Sequence, residues 1–221
     1  MTPVRSLNLP LKSASPDSDG LVLFTRYPEA GKTKTRLIPH LGAHQAARLQ
    51  RRMTEHLVQT LRPQSGQRSW ALEVHFAGGN LQAMQRWLGP ELTYQAQASG
   101  DLGDRLQHTF ANGFRQQRER IVVIGSDCPA ITANHVEQAF HALQRHQVVL
   151  GPAQDGGYYL VGLNCDCGAL FQNIAWSTPQ VFEQTMAIAT RLHLSLATLE
   201  SLPDIDRPED LVGLPSALGL P

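Results

Sequence analysis

The stretch LVLFTRYPEAGKTKTRL, Leu21 to Leu37, joins an apolar run to a polar loop that carries Arg26, Lys32, Lys34 and Arg36, with Glu29 its one acid. Leu21–Thr25 reads as a buried strand, because a short, uninterrupted apolar run fits a strand covered on both faces. The loop leaving it has one glycine, Gly31, which permits close backbone approach to a ligand. It also has Lys32, Lys34 and Arg36 at two-residue spacing. In an extended segment alternate side chains face one way, so these three are expected to converge on a polyanion. Phosphate is the natural candidate, with Arg36 able to bind it bidentately. The competing reading is a solvated surface loop; placement directly after a buried strand favours function. The loop has neither a Walker pattern nor Gly-x-Gly-x-x-Gly.

Working outward, apolar runs alternate with helical patterns. Strands are expected at Trp70–Ala77, Leu92–Gln95, Ile121–Gly125, Val148–Gly151, Tyr158–Leu163 and Leu194–Thr198. Helices are expected at Ala43–Leu61, from Asn80 as cap to Leu88, at Asp104–Arg118, from Thr132 or Asn134 to near Arg145, at Thr178–Leu192 and at Pro208–Leu214. This order predicts a three-layer α/β/α fold around a mostly parallel central sheet. Residues 1–19, rich in Ser, Pro and Asp, are expected to form a loose arm, and 20–221 a single domain.

The 221 residues have a formal net charge of zero, which removes any global bias toward nucleic acid or membrane. No apolar run approaches membrane-spanning length, and the first residues lack the apolar segment of a signal peptide. The three cysteines, Cys128, Cys165 and Cys167, read as reduced thiols of a cytoplasmic protein. Cys165-Asp166-Cys167 lacks a second Cys/His pair at metal-binding spacing.

In sheets of this kind ligands sit beyond the carboxyl ends of the strands. Three polar loops follow apolar strands: the basic loop, GSDCPAIT after Ile124, and AQDGGYY after the VVLG run. All three are expected on one rim. Asp127 stands just past a strand end, a common station for magnesium that also touches phosphate; the alternative is a turn or cap. Asp155-Gly156-Gly157 lets backbone approach a ligand, and equally makes a tight hairpin turn. Of Tyr158 and Tyr159, opposite faces of a strand leave one to line a site. Asp204 and Asp206 in LPDIDRPEDL share a face if extended, and such a pair repels itself unless a cation intervenes. Asp206 also suits the N-cap of the last helix, with Glu209 completing a capping box. In GDLGDRL, Asp101 and Asp104 suggest capping, and Arg105 can reach a phosphate. In WSTPQV, Ser177 or Thr178 is expected to cap a helix, with a hydroxyl that can also face substrate.

FTRYPEAGKTKTRL, GDLGDRL, IGSDCPAIT, GPAQDGGYYLVGL, IAWST and LPDIDRPEDL occur in this order across Leu21–Leu211. Together they resemble the GT-A-fold bacterial transferases of the nucleotide-diphospho-sugar transferase type, labelled arsenosugar-biosynthesis glycosyltransferases or transferases of unknown substrate. The chain is more distantly similar to the guanylyltransferases acting on phospholactate or phosphoenolpyruvate. The resemblance implies a transferase using an activated nucleotide or nucleotide-sugar and a small-molecule acceptor, with Mg2+ or Mn2+ as cofactor. It implies Asp127, Asp204 and Asp206 as metal ligands and Lys34 and Arg36, with Lys32 beside them, as phosphate contacts. Asp155 is the available base for a glycosyl transfer. Arg26, Gly31, Asp101, Arg105, Gly156, Gly157, Tyr158 and Ser177 complete the expected substrate-binding set. Two positions depart from the relatives: the first loop has only Gly31, and Ser126-Asp127-Cys128 has one carboxylate where many GT-A enzymes have Asp-x-Asp. Glycosyl and nucleotidylyl transfer both remain open, as does a nucleotide-binding module without catalysis.

Overall fold

The computed structural model describes residues 18–62, 70–214 and 218. The expected arm therefore lies outside the described residues except for its last two positions. Those two already belong to the fold. Asp19 opens strand β1 (Asp19–Arg26), and its carboxylate receives both Arg120 Nε (2.8 Å) and another guanidinium nitrogen (2.9 Å). Burial still raises the Asp19 pKa above the ordinary carboxylate value, with Arg120 opposing.

After β1 come α1 (Ile38–Leu41), α2 (Ala43–Leu61), β2 (Trp70–Ala77), α3 (Leu81–Leu88), β3 (Thr93–Ala96) and α4 (Leu102–Arg115). The second half contributes β4 (Arg120–Gly125), α5 (Ala133–Ala142), β5 (Val148–Pro152), β6 (Tyr158–Leu163), α6 (Val181–Arg191) and β7 (Leu196–Thr198). The seven strands form one sheet in the order β3-β2-β1-β4-β6-β5-β7. All run parallel except β6, antiparallel to both β4 and β5. The short AQDGG connection forces this, since a parallel crossover needs a dozen or more residues.

Alternation along β1 separates two cores. Leu21 and Leu23 join a cluster with Leu57 and Leu61 of α2 and Val136 and Phe140 of α5. Val22 and Phe24 join another with Leu106 and Phe110 of α4 and Val181 and Ile188 of α6. Three layers result because both faces of the strand are apolar, and each fully buried Leu contributes about 1.5–3 kcal/mol.

Three local expectations are corrected. α6 begins at Val181, not Thr178: Ser177 has φ 64°, and the Thr178 hydroxyl donates back to the Ala175 carbonyl (2.7 Å), so the chain turns before it coils. The last element is a 3-10 helix, Pro208–Gly213. Its cap is neither Asp206 nor Glu209, because Asp210 accepts from the amides of Asp206 (2.9 Å) and Arg207 (2.7 Å).

Candidate active site

A cleft of about 1300 Å³ opens along the carboxyl ends of the parallel strands. Arg26 ends β1 and Ala77 ends β2, while Ser126 and Asp127 follow β4, and Gln154 and Asp155 follow β5. β6 runs the other way, so its first residues, Tyr158 and Tyr159, reach the same rim. The sheet order reverses between β1 and β4, and the basic loop and Asp127 flank that point. This is where open α/β sheets leave a crevice.

The basic loop is not extended. It turns at Gly31 (φ 84°), Lys34 adopts a left-handed conformation (φ 48°), and a 3-10 turn follows at Thr35–Leu37. The expected convergence of three cations is therefore incomplete. Lys32 is exposed and pairs with Glu29 (2.8 Å) at the cleft edge. Lys34 turns inward, with its side chain 2 % exposed, and its ammonium meets Asp127 Oδ1 (2.9 Å) and Asp206 Oδ1 (3.8 Å). It also donates to the Ile205 carbonyl. Arg36 donates to the other oxygen of Asp206.

Two backbone links explain how residues so far apart in sequence meet. Ile205 N–H donates to the Asp127 carbonyl (2.8 Å), setting Asp206 beside Asp127. A parallel bridge pairs Ala153 with Leu202, and the same register brings Asp204 to Asp155. Burial, and then the negative charge of Asp155, push Asp204 up to about 6. Asp155 also accepts from the Gly157 amide (2.8 Å).

The three carboxylates expected to ligate a metal thus line one cleft, and their hard oxygen chemistry suits magnesium or manganese. Among the described residues, however, no three His, Cys, Asp or Glu groups are gathered closely enough to hold an ion. The cation standing between Asp127 and Asp206 is the Lys34 ammonium. Cys165 and Cys167, with sulfurs 2.9 Å apart, form no such group either.

Of the other expected site residues, Arg26, Arg105, Gly157, Tyr158 and Ser177 line the cleft. Arg105 donates to the Gly100 carbonyl (3.0 Å) and to Gln97 (3.4 Å). The Tyr158 hydroxyl runs into the interior, where burial raises its pKa beyond the ordinary phenol range. Gly31, Asp101 and Gly156 do not line the cleft. Asp101 accepts from the Asp104 amide (2.9 Å) while Asp104 accepts from that of Asp101 (3.1 Å), a closed capping box on α4. Gly156 (φ 89°) is pressed against Pro179: a Cβ there would lie 2.2 Å from the Pro179 carbonyl oxygen.

The sequence reading missed Gln50. Its amide nitrogen donates to Ser126 (2.8 Å) and Thr25 (3.2 Å), and with Thr54 it forms a buried polar network behind the β1–β4 crevice. A signal existed: Gln50 is polar at a position where Ala46, Met53 and Leu57 mark the buried face of α2. Arg207 and Trp176 also line the cleft and were not among the residues expected there.

The family model described as "Uncharacterized protein conserved in bacteria (DUF2064)" matches residues 57–178. A candidate nucleotide-diphospho-sugar transferase from Desulfovibrio desulfuricans G20 is 32% identical, with a TM-score of 0.83 over 88% of this chain and 85% of that one. CMP:2-keto-3-deoxy-manno-octonic acid synthetase, solved with CTP, is 12% identical, TM-score 0.53, over 89% and 96% of the two chains. A Mycobacterium tuberculosis H37Rv protein solved with manganese is 14% identical, TM-score 0.52, over the same shares. These last two share the fold. No curated protein sequence matches. The fold is thus the three-layer nucleotide-diphospho-sugar transferase type, and among the described residues no helix is long and apolar enough to cross a membrane.

Proposed function

We propose, for a chain that belongs to the bacterial family DUF2064, a transferase acting on a nucleotide-diphospho-sugar, with the rim cleft as its active site. One observation carries this reading: cations and carboxylates from three distant segments, Lys34 and Arg36, Asp127, and Asp204 and Asp206, meet at the strand ends where such folds bind ligands. The 32% identity to the Desulfovibrio protein supports the nucleotide-sugar over a free nucleoside triphosphate, as does the single glycine of the first loop.

In this reading Arg26 holds the diphosphate from the end of β1, with Lys32 and Arg36 at the loop edge. Lys34, its donors spent on Asp127, Asp206 and Ile205, holds the basic loop against the acidic segment. Asp127, Asp204 and Asp206 would hold a magnesium or manganese ion only by closing up from where they stand, and such an ion would offset charge on the departing diphosphate. Asp155 accepts a proton from the acceptor hydroxyl and is held for that role by the Gly157 amide.

A second reading, nucleotidylyl transfer, draws on the CTP-bound synthetase of the same fold. Incubation with pooled nucleotide-sugars, nucleoside triphosphates and small-molecule acceptors (uncharged glycosides and phosphorylated small molecules) plus magnesium separates the two. Free nucleoside diphosphate supports the first and pyrophosphate the second. Nucleotide binding without either product leaves a non-catalytic module, and no binding at all rejects the site.

A further inference from the structure

One end of the cleft differs in chemistry from the rest. Trp176 and Pro179 from the segment leading into α6, Val181 at its start, Leu102 from the start of α4, and Tyr158 are the apolar part of the cleft lining and form a wall there. Leu102 is 40% exposed, and Leu81, Leu192 and Val212, the other exposed large apolar side chains among the described residues, do not line the cleft. An exposed leucine beside a half-buried tryptophan, inside a polar cleft, is the apolar surface a ligand would cover.

The wall is held in place. Tyr158 packs edge-on against Trp176 at 6.3 Å and 84°. Gly103 allows α4 to approach, since a Cβ there would lie 2.6 Å from the Phe171 carbonyl and 2.8 Å from the Trp176 indole nitrogen. On the other side, Pro179 is pressed on Gly156, so the tryptophan segment is packed directly against the Asp155 turn. The wall and the Asp155–Asp204 carboxylate pair therefore border one another.

That border decides the ligand's charge. Asp155 is exposed, and the bridge between Ala153 and Leu202 carries Asp204 to it, so an anionic group on the wall would meet like charge. Arg105, the cation nearest Leu102 along α4, has its guanidinium on the Gly100 carbonyl and Gln97. A neutral ring with one CH-rich face and hydroxyls on its rim satisfies both surfaces. The face covers Trp176 and Leu102, and a hydroxyl donates to the carboxylate oxygen of Asp155 that Gly157 leaves free.

We infer that the Trp176–Leu102 wall is the acceptor subsite and that it takes an uncharged, hydroxyl-bearing ring of carbohydrate type. This rests on the transferase reading for its role, though not for its chemistry. The test is saturation-transfer NMR on the full chain with a mixture of uncharged methyl glycosides and cytidine, with UDP binding followed separately by calorimetry. Ring-proton transfer to the glycosides is expected in the parent, falling at least about five-fold in Trp176→Ala and largely kept in Trp176→Phe, with UDP affinity unchanged. Because Leu102 is exposed, Leu102→Asn keeps the fold, and it should weaken the same signals. The inference is overturned if the parent gives no glycoside signal while binding UDP, or if Trp176→Ala and Leu102→Asn leave the glycoside signals as they were. Glycoside binding that responds to these variants in a protein that binds no nucleotide would keep the subsite and reject the nucleotide-sugar reading.

Discussion

Asp101 and Asp104 stand at the start of α4, and Asp206 and Asp210 at the start of the last 3-10 helix, in two segments that read much alike: GDLGDRL and DIDRPEDL. In the first, each carboxylate takes the other's backbone amide, and both are consumed by the helix start. In the second, Asp210 alone takes the amides of Asp206 and Arg207. That frees Asp206 to meet Lys34 and Arg36, and leaves Asp204 beside Asp155 in the cleft. The difference teaches that a carboxylate serves a site when another residue has already satisfied the local amides. An acid near a helix start is evidence for a site only once its capping duty is accounted for.

The comparison is sharpest where the open set is stripped of an acid. Asp127→Asn should lower turnover of a nucleotide-sugar by on the order of 10²–10³, the usual loss when one group aimed at developing charge is removed. The unfolding temperature should fall only modestly, because the Asp127 side chain is 52% exposed and Lys34 keeps Asp206 and the Ile205 carbonyl as partners. A folded variant releasing nucleoside diphosphate at the parent's rate would break the contrast between the two segments.

Lys34→Met tests the cation of the open set. It leaves Asp127 and Asp206 facing each other and the Ile205 carbonyl without its ammonium donor. Removing one member of a buried pair costs about 3 kcal/mol at the low end of the usual range, and the half-exposed Asp127 holds the loss to that end. Urea unfolding at low salt measures it. A loss below about 1 kcal/mol would reduce Lys34 to an ordinary surface ion pair.

Asp204 supplies a pH test. Its folded pKa, about 6, lies above the ordinary 3.8. The folded state therefore holds that proton more tightly, and protonation favours folding. The contribution is complete below about 3.8 and is lost as pH rises through about 6. Asp204→Asn should thus raise the melting temperature by about 2–4 °C at pH 7.5 and have little effect near pH 4. Magnesium should raise the melting temperature of the parent at pH 7.5 more than that of the variant. Equal shifts at both pH values would contradict the carboxylate pair.

The closed set should behave in the opposite way. Asp101→Ala should cost about 1 kcal/mol of stability, the usual price of a lost N-cap, with nucleotide affinity intact. Smallest in stability is Lys32→Ala, below about 0.5 kcal/mol for an exposed pair. If Lys32 grips phosphate, calorimetry will nevertheless show weaker nucleotide binding.

The amino-acid sequence by itself determined the elements whose signal is a period. Helix Ala43–Leu61 and strands Trp70–Ala77 and Tyr158–Leu163 end where the pattern ends, and Asn80 caps α3 as its position suggests. The rim was legible for the same reason, since polar loops after apolar strands are a local juxtaposition. Tertiary structure alone decided the partners. Lys34 turns inward because its backbone is left-handed, which no two-residue spacing reveals. Asp206 is free because Asp210, four residues on, takes its amide. Asp204 meets Asp155 through a bridge between residues 153 and 202, and Asp206 meets Lys34 because Ile205 docks on Asp127. Periodicity is written within a few residues and survives in any context; charge pairing depends on register between distant segments, which exists only once the sheet has formed.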